Sequence, residues 1–344
     1  MSIENRISKV NLNEDGLDSN YRAAVHKKFS EDTVSPEALR QNLMEDFVEP
    51  LDAETTKNLH ETHDKIFNVF SDREIITLSS LGGHGLDSYL TETSPLKVAH
   101  LTGRNADLVA DPAIQLAAEA YRRRLKRDQG EISLGAVHRC IRLQRYEDKN
   151  RKTNFEMFAT LDSKHRDLTQ SFETDKICEL ISRYIGLLSQ YDLKEKLTVA
   201  LGNIRLAPKI LSEAAAIKTC PEGVIAELPV NLRGLQSPEI LSDLTFQKYA
   251  ESAGINNDLS PLIKLINILK DKTGLDPKIQ IDRLDGLGHY KSLVFQILLG
   301  KKLIVDGGTV DWVRKLNSNN KEKTVVSGFG TQAFNSYLYQ KDMI

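Results

Sequence analysis

The sequence has few cysteines. Cys140, Cys178 and Cys220 are its only three among 344 residues, and they lie far apart. That spacing supports neither a disulfide framework nor a zinc pattern, so no metal is expected and a reducing cytoplasm is the simplest compartment. No apolar run is long enough to span a bilayer, and the polar, acidic N-terminus has no signal-peptide core. No membrane partner is expected. Charge of one sign is also missing. The formal net charge is −2, which removes any global electrostatic argument for nucleic acid. There is no internal repeat. The glycine-rich stretch Ser79–Gly85 lacks the spacing and the Lys-Ser/Thr ending of a phosphate-binding loop.

The chain's length suits one large domain or two smaller ones. Residues 1–52 read as a polar arm that packs on the body or on a partner, or else as a loosely ordered tail. Within it a short helix is predicted over Pro36–Phe47, with Ser35 as cap and Pro36 in the first turn. Apolar spacing predicts a helix over Ala53–Phe70 and another over Phe172–Leu188. A third helix begins at Asp111-Pro112 and ends in the run Arg122–Arg127. Cations there favour the helix C-terminus, and that reading is preferred to a phosphate contact. Strands are predicted at Glu74–Leu78, Leu96–Leu101, Ser133–Arg142, Phe155–Leu161 and Leu197–Leu201. His84 reads as an exposed loop histidine. The Ser133–Leu161 segment is an antiparallel hairpin with a basic tip of Arg145, Lys149, Arg151 and Lys152. Such a tip either presents guanidinium forks to a phosphate or carboxylate, or is a solvated loop.

Residues 206–276 are mostly helical, and strands close the chain from Ile279 to Phe334. Helices and strands do not alternate as βαβ units. The fold class is therefore α+β, with a mainly antiparallel sheet flanked by helices and a helical insertion. The expected division is an arm (1–52), the first part of a core (53–205), the insertion (206–276) and the closing strands of the core (277–344).

The closing strands carry a family pattern. Asp282, Gly286, Leu287 and Tyr290 are followed by Val294-Phe295-Gln296, then by Gly307-Gly308 and Asp311, then by Gly328-Phe329. This order resembles the catalytic core of class II aminoacyl-tRNA synthetases, in the histidyl-tRNA synthetase branch. That branch includes the regulatory subunit of ATP phosphoribosyltransferase. The family reads Arg-Gly-Leu-Asp-Tyr-Tyr-Thr-Gly, Val-Phe-Glu, Gly-Gly-Arg-Tyr-Asp and Val-Gly-Phe at these places. The hairpin resembles the second class motif. There the family's arginine grips the ATP α-phosphate and a phenylalanine on the returning strand stacks on adenine. The resemblance implies a nucleotide site at Arg139 and Phe155, with Arg142 if the register slips, and ATP with magnesium as the cofactor. It implies a ligand pocket at Arg104, His289, Tyr290, Lys291, Gln296, Gly307, Gly308 and Asp311. It also implies a homodimer through Ala53–Leu78. The likeness covers about Ala53 to Phe334.

The departures fall on the chemistry. Where the family's Glu holds the substrate ammonium, this chain has Arg104, which would repel that group. The second-motif Glu is Ile141, and Asp285 replaces the arginine of Arg-Gly-Leu-Asp. Gly288 replaces the Asp, and Thr309-Val310 replaces Arg-Tyr. The third-motif arginine falls near Asn335. Those charges supply most of the electrostatics of adenylate formation, so no catalytic residue is assigned. The sequence runs only a little past the third motif, so no anticodon-binding domain and no tRNA charging are expected. Two functions follow from the resemblance. One is a binding or regulatory paralogue with a small-molecule ligand and a catalytic partner subunit. The other is a diverged ATP-dependent enzyme that activates an acid other than histidine for a non-tRNA acceptor. Arg104, Lys291 and His289 together would suit an anionic ligand.

Overall fold

The computed structural model describes residues 27, 36–44, 50–101, 105–126, 130–143, 152–167, 171–193, 196–210, 235–252 and 254–340. Arg104, Arg145, Lys149, Arg151 and the Ser35 cap lie outside these. Helix α1 (Pro36–Asn42) belongs to the arm. Helix α2 (Ala53–Val69) starts where Asp52 accepts a hydrogen bond from the Thr55 amide at 2.7 Å. A carboxylate at this position satisfies a free helical N–H and complements the helix dipole.

Eight strands form one sheet in the order β1-β5-β6-β11-β10-β9-β7-β8. These are β1 (Glu74–Ile75), β5 (Ile132–Ile141), β6 (Asn154–His165), β7 (Leu197–Asn203), β8 (Lys278–Ile279), β9 (Leu293–Leu299), β10 (Lys302–Val310) and β11 (Glu322–Phe329). Every central pairing is antiparallel, and only the edge strands β1 and β8 run parallel to their neighbours. The predicted hairpin is β5–β6, with Cys140 opposite Phe155. A small sheet, β2-β4-β3, sits beside it, made of β2 (Leu81–Gly83), β3 (His100–Leu101) and β4 (Ala106–Leu108).

Two expectations need correction here. The Ser79–Gly85 loop contains strand β2, because its backbone pairs with β4. The expected strand Leu96–Leu101 is a 3-10 turn over Pro95–Lys97 followed by only two strand residues. Pro95 fixes its own φ near helical values and so opens that turn.

The sheet separates two apolar cores. On one side α2, α5 (Phe172–Leu188), α6 (Leu244–Ser252) and α7 (Asn256–Thr273) bury Ile66, Phe70, Tyr184, Leu262 and Phe295. On the other, α4 (Pro112–Leu125) and α8 (Trp312–Asn317) bury Ile114, Leu116, Leu134, Leu161 and Trp312. Helices α6 and α7, from the segment predicted as an insertion, contribute to the first core rather than standing apart. Helix α9 (Thr331–Gln340) follows β11 directly. Among the described residues no helix is long and apolar enough to cross a membrane.

Glycine at 307 is required by packing. A Cβ there would lie 2.5 Å from the Phe295 ring and 2.7 Å from the Val326 carbonyl. At Gly308 it would lie 2.5 Å from the Leu293 carbonyl. The Gly-Gly pair lets three neighbouring strands pass close together at the centre of the sheet.

Candidate functional site

The second core stops short of the sheet's end, and a cavity of about 390 Å³ opens there. Its floor is a cross-strand row, Gln296 opposite Asp306 opposite Gly328. One wall is α3 (Leu86–Thr91), which contributes Asp87 and Thr91. Another is the start of α4, where Asp111 caps the helix by accepting from the Ala113 amide at 2.9 Å. The turn after β8 supplies Arg283, Asp285, Gly286, His289 and Tyr290. This turn depends on Gly286, whose φ of 91° lies in the left-handed region and whose carbonyl accepts from the Tyr290 amide at 2.8 Å.

Two arginines face this space, and each already has an acidic partner. Arg142 donates from Nε to the Ala110 carbonyl at 2.8 Å and from Nη2 to Asp111 at 3.2 Å. Its guanidinium lies 5.2 Å from the centre of the Phe155 ring, a cation–π geometry. Arg283 is buried, and its Nη2 meets both oxygens of Asp306 at 3.0 and 2.9 Å. It also lies over the Tyr290 ring at 5.3 Å. Lining carboxylates are Asp87, Asp111, Asp285 and Asp306, against Lys97, Arg142 and Arg283 as cations. Among the described residues the lining is of mixed sign.

Burial governs titration in the cavity. Asp87 is 3% exposed, and desolvation, with the neighbouring charge of Asp111, pushes its carboxyl up to about 7. Burial also raises Asp306, although Arg283 opposes the shift. His289 packs edge-on against Trp312 at 4.6 Å and Tyr290 at 4.7 Å. Desolvation takes its pKa down to about 4, so the imidazole is neutral at neutral pH. The Tyr290 hydroxyl is held protonated by the same burial.

The residues named from the sequence divide into groups. Arg142, His289, Tyr290 and Gln296 line the cavity, and Phe155 supports Arg142 from behind. Arg139 lies elsewhere: it is exposed, donates to Asn154 at 3.1 Å, and lines a different concavity with His63 and Glu156. Arg139 lies in β5 and Arg142 immediately follows it, three positions on, so an alternating extended backbone turns them to opposite faces. Gly307 and Gly308 sit in the sheet and leave the cavity lining to Asp306. Lys291 and Asp311 form a separate cluster with Arg314 and Lys315, with Lys291 Nζ 3.7 Å from Asp311. Of the cationic trio Arg104, Lys291 and His289, His289 is neutral at the cavity, Lys291 is paired with Asp311, and Arg104 lies outside the described residues.

Asn335 is buried between α9 and α2, donating to Thr62 at 3.0 Å and to the Thr331 carbonyl at 2.9 Å. It ties two helices together and does not reach the cavity.

Sequence reasoning missed Arg283, Asp306 and Asp87. Arg283 stands two residues before the Asp285 that was aligned with the family's arginine. Its signal is an Arg three residues before the turn glycine Gly286. Asp87 and Asp306 carry no local signal, because their role depends on burial. His84 does not stand alone, since its Nδ1 is 2.8 Å from Asp107. In the basic run, Arg122, Arg123 and Arg124 are held in ion pairs. Arg123 grips Glu74 at 2.6 and 2.7 Å, and Arg124 is buried against Glu322 at 2.7 Å.

No protein-family model matches the chain. No curated protein matches it by sequence. Solved structures match it by shape. A structure described as an ATP phosphoribosyltransferase regulatory subunit/histidyl-tRNA synthetase from Bacillus halodurans has a TM-score of 0.65 at 13% identity, covering 84% of this chain and 82% of that one. A histidine–tRNA ligase subunit from Alicyclobacillus acidocaldarius gives 0.65 at 14% identity, over 86% and 97% of the two chains. A histidyl-tRNA synthetase from Nostoc gives 0.67 at 13% identity, over 87% and 75%. The chain has the α+β fold of these class II synthetase-like proteins.

Proposed function

We propose that this chain is a binding or regulatory subunit that uses the synthetase-type cavity to hold a small zwitterionic ligand of amino-acid type. The carrying observation is that Arg142 and Arg283 face the cavity already paired with Asp111 and Asp306. A carboxylate ligand has two guanidinium forks to approach, and an ammonium has Asp87 and Asp111. A triphosphate would meet the lining carboxylates Asp87, Asp111, Asp285 and Asp306, with Ile141 in place of the second-motif Glu and Asn335 turned into a helix seam. The residues therefore do not fit ATP adenylation chemistry, and no catalytic step is assigned to them. The regulatory-subunit description of one structural relative supports a catalytic partner subunit; a role in amino-acid biosynthesis and a cytoplasmic location are part of the proposal. A homodimer through Ala53–Leu78 completes the proposal.

A second reading rests on Arg142 and Phe155, whose stacked arrangement could grip a single phosphate and a base. On that reading the chain is a diverged ATP-dependent acid-activating enzyme. Isothermal titration with a panel of free amino acids, and separately with ATP with and without magnesium, decides between them. The first reading expects an amino acid to bind at micromolar to millimolar level, with no pyrophosphate exchange. Binding of ATP together with pyrophosphate exchange would overturn it. Light scattering at micromolar concentration tests the dimer, and a monomer there would count against it.

A further inference from the structure

Away from the cavity lining, the small sheet brings two histidines and an aspartate to one point. In β3 and β4, His100 and Asp107 are direct cross-strand partners. His84 immediately follows β2, whose Gly82 is the other neighbour of Asp107. His84 Nδ1 and His100 Nδ1 both approach the same oxygen, Asp107 Oδ1, at 2.8 and 2.7 Å. The other carboxylate oxygen accepts from the Gly85 amide at 2.7 Å. His100 Nε2 lies 2.9 Å from the Pro95 carbonyl, which can only accept, so Nε2 carries the hydrogen. In a neutral His100 the Nδ1 is then a lone pair aimed at a carboxylate oxygen. Two acceptors 2.7 Å apart need either a proton or a metal ion between them.

We propose that His84, His100 and Asp107 form a zinc-binding site with two imidazole nitrogens, one carboxylate oxygen and a fourth position open to solvent. The donor set suits a borderline divalent ion, and the three ligand atoms lie within 4.8 Å of one another. A spread of about 0.5 Å in the present nitrogen–oxygen distances accommodates zinc–ligand bonds of roughly 2.0–2.2 Å. The outer partners are those a metal site uses. A backbone carbonyl fixes the His100 tautomer, and a backbone amide fixes Asp107, whose side chain is 2% exposed. The side chains of His84 and His100 are 56% and 33% exposed, which leaves an entry path and room for water. Helix α3 starts two residues after His84 and carries Asp87 and Thr91 to the cavity wall. An ion here pins that wall to β3 and β4.

The test uses the full chain, stripped with a chelator and dialysed, then titrated with zinc chloride against a chromogenic competitor. Wild type takes up one zinc per chain with micromolar or tighter Kd, and cobalt(II) gives the visible absorption of a tetrahedral ion. His84→Ala and His100→Ala each weaken zinc by at least about tenfold. Zinc raises the melting temperature of wild type and leaves that of both variants unmoved. His84 is on the surface, so its variant should melt like metal-free wild type and report ligation rather than folding. No zinc binding at millimolar concentration, or equal affinity in wild type and both variants, overturns the site. In that event a proton on His100 supplies the cation.

Discussion

The buried arginines of the scaffold and the arginines of the cavity make the same contact with different consequences. Arg73 donates to Asp162 at 2.7 Å, and Arg124 holds Glu322 at the same distance. Both pairs are sealed within the body: Ser133 donates to the other Asp162 oxygen at 2.6 Å, and Ser163 donates at 2.6 Å to the same Glu322 oxygen that Arg124 holds. Arg283 holds Asp306 with similar geometry, but the Asp306 side chain is 32% exposed through the cavity. The difference is access. A sealed pair can only hold elements together, whereas a pair at a cavity floor can exchange its partner for a ligand.

The comparison breaks most visibly at Arg73. Arg73→Met removes the cation hydrogen-bonded to buried Asp162, leaving it only Ser133 and the more distant Lys176 at 3.8 Å, and should lower stability by about 3–5 kcal/mol in urea unfolding. Next comes Asp87. Its folded pKa of about 7 is raised above the usual value of about 4 for an unfolded aspartate. The folded state therefore holds a proton that the unfolded state releases. The stabilisation is fully present below about pH 4 and is lost as pH rises through about 7. Asp87→Asn should flatten this fall and leave the protein more stable than wild type at pH 8, by an amount on the order of a few kcal/mol. Unfolding midpoints across pH 4–8 measure it. At Arg283 the two classes of arginine separate. Arg283→Ala should cost about 1–3 kcal/mol of stability, because Asp306 is reached by water. It should weaken the amino-acid-type ligand by more than about tenfold in calorimetry. The smallest effect is at Lys291, which is paired with Asp311 outside the cavity. Lys291→Ala should change stability by about 0–1 kcal/mol and leave ligand affinity unchanged.

The elements with a strong period were legible without coordinates. Helix α5 occupies Phe172–Leu188 as its apolar spacing indicated, and the hairpin β5–β6 and the closing strands fall where the apolar runs lie. Short pieces were not legible. Strand β2 consists of Leu81-Gly-Gly83, which has no strand preference and forms only because β4 offers hydrogen bonds. The site was half legible. Gly286 and Tyr290 were visible as a pattern, and Arg142 was named beside Arg139, but which of the two faces the cavity depends on the pleat of the chain through and just past the end of β5.

By itself the sequence determined the fold class and the order of the main elements. These depend on periodicity and residue type, which are local properties. Tertiary structure decided which charges meet. It paired Arg283 with Asp306, raised Asp87, kept His289 neutral, turned Asn335 away, and drew His84 and His100 onto Asp107. Electrostatic energy depends on distance and on exclusion of water, and neither is set by position along the chain.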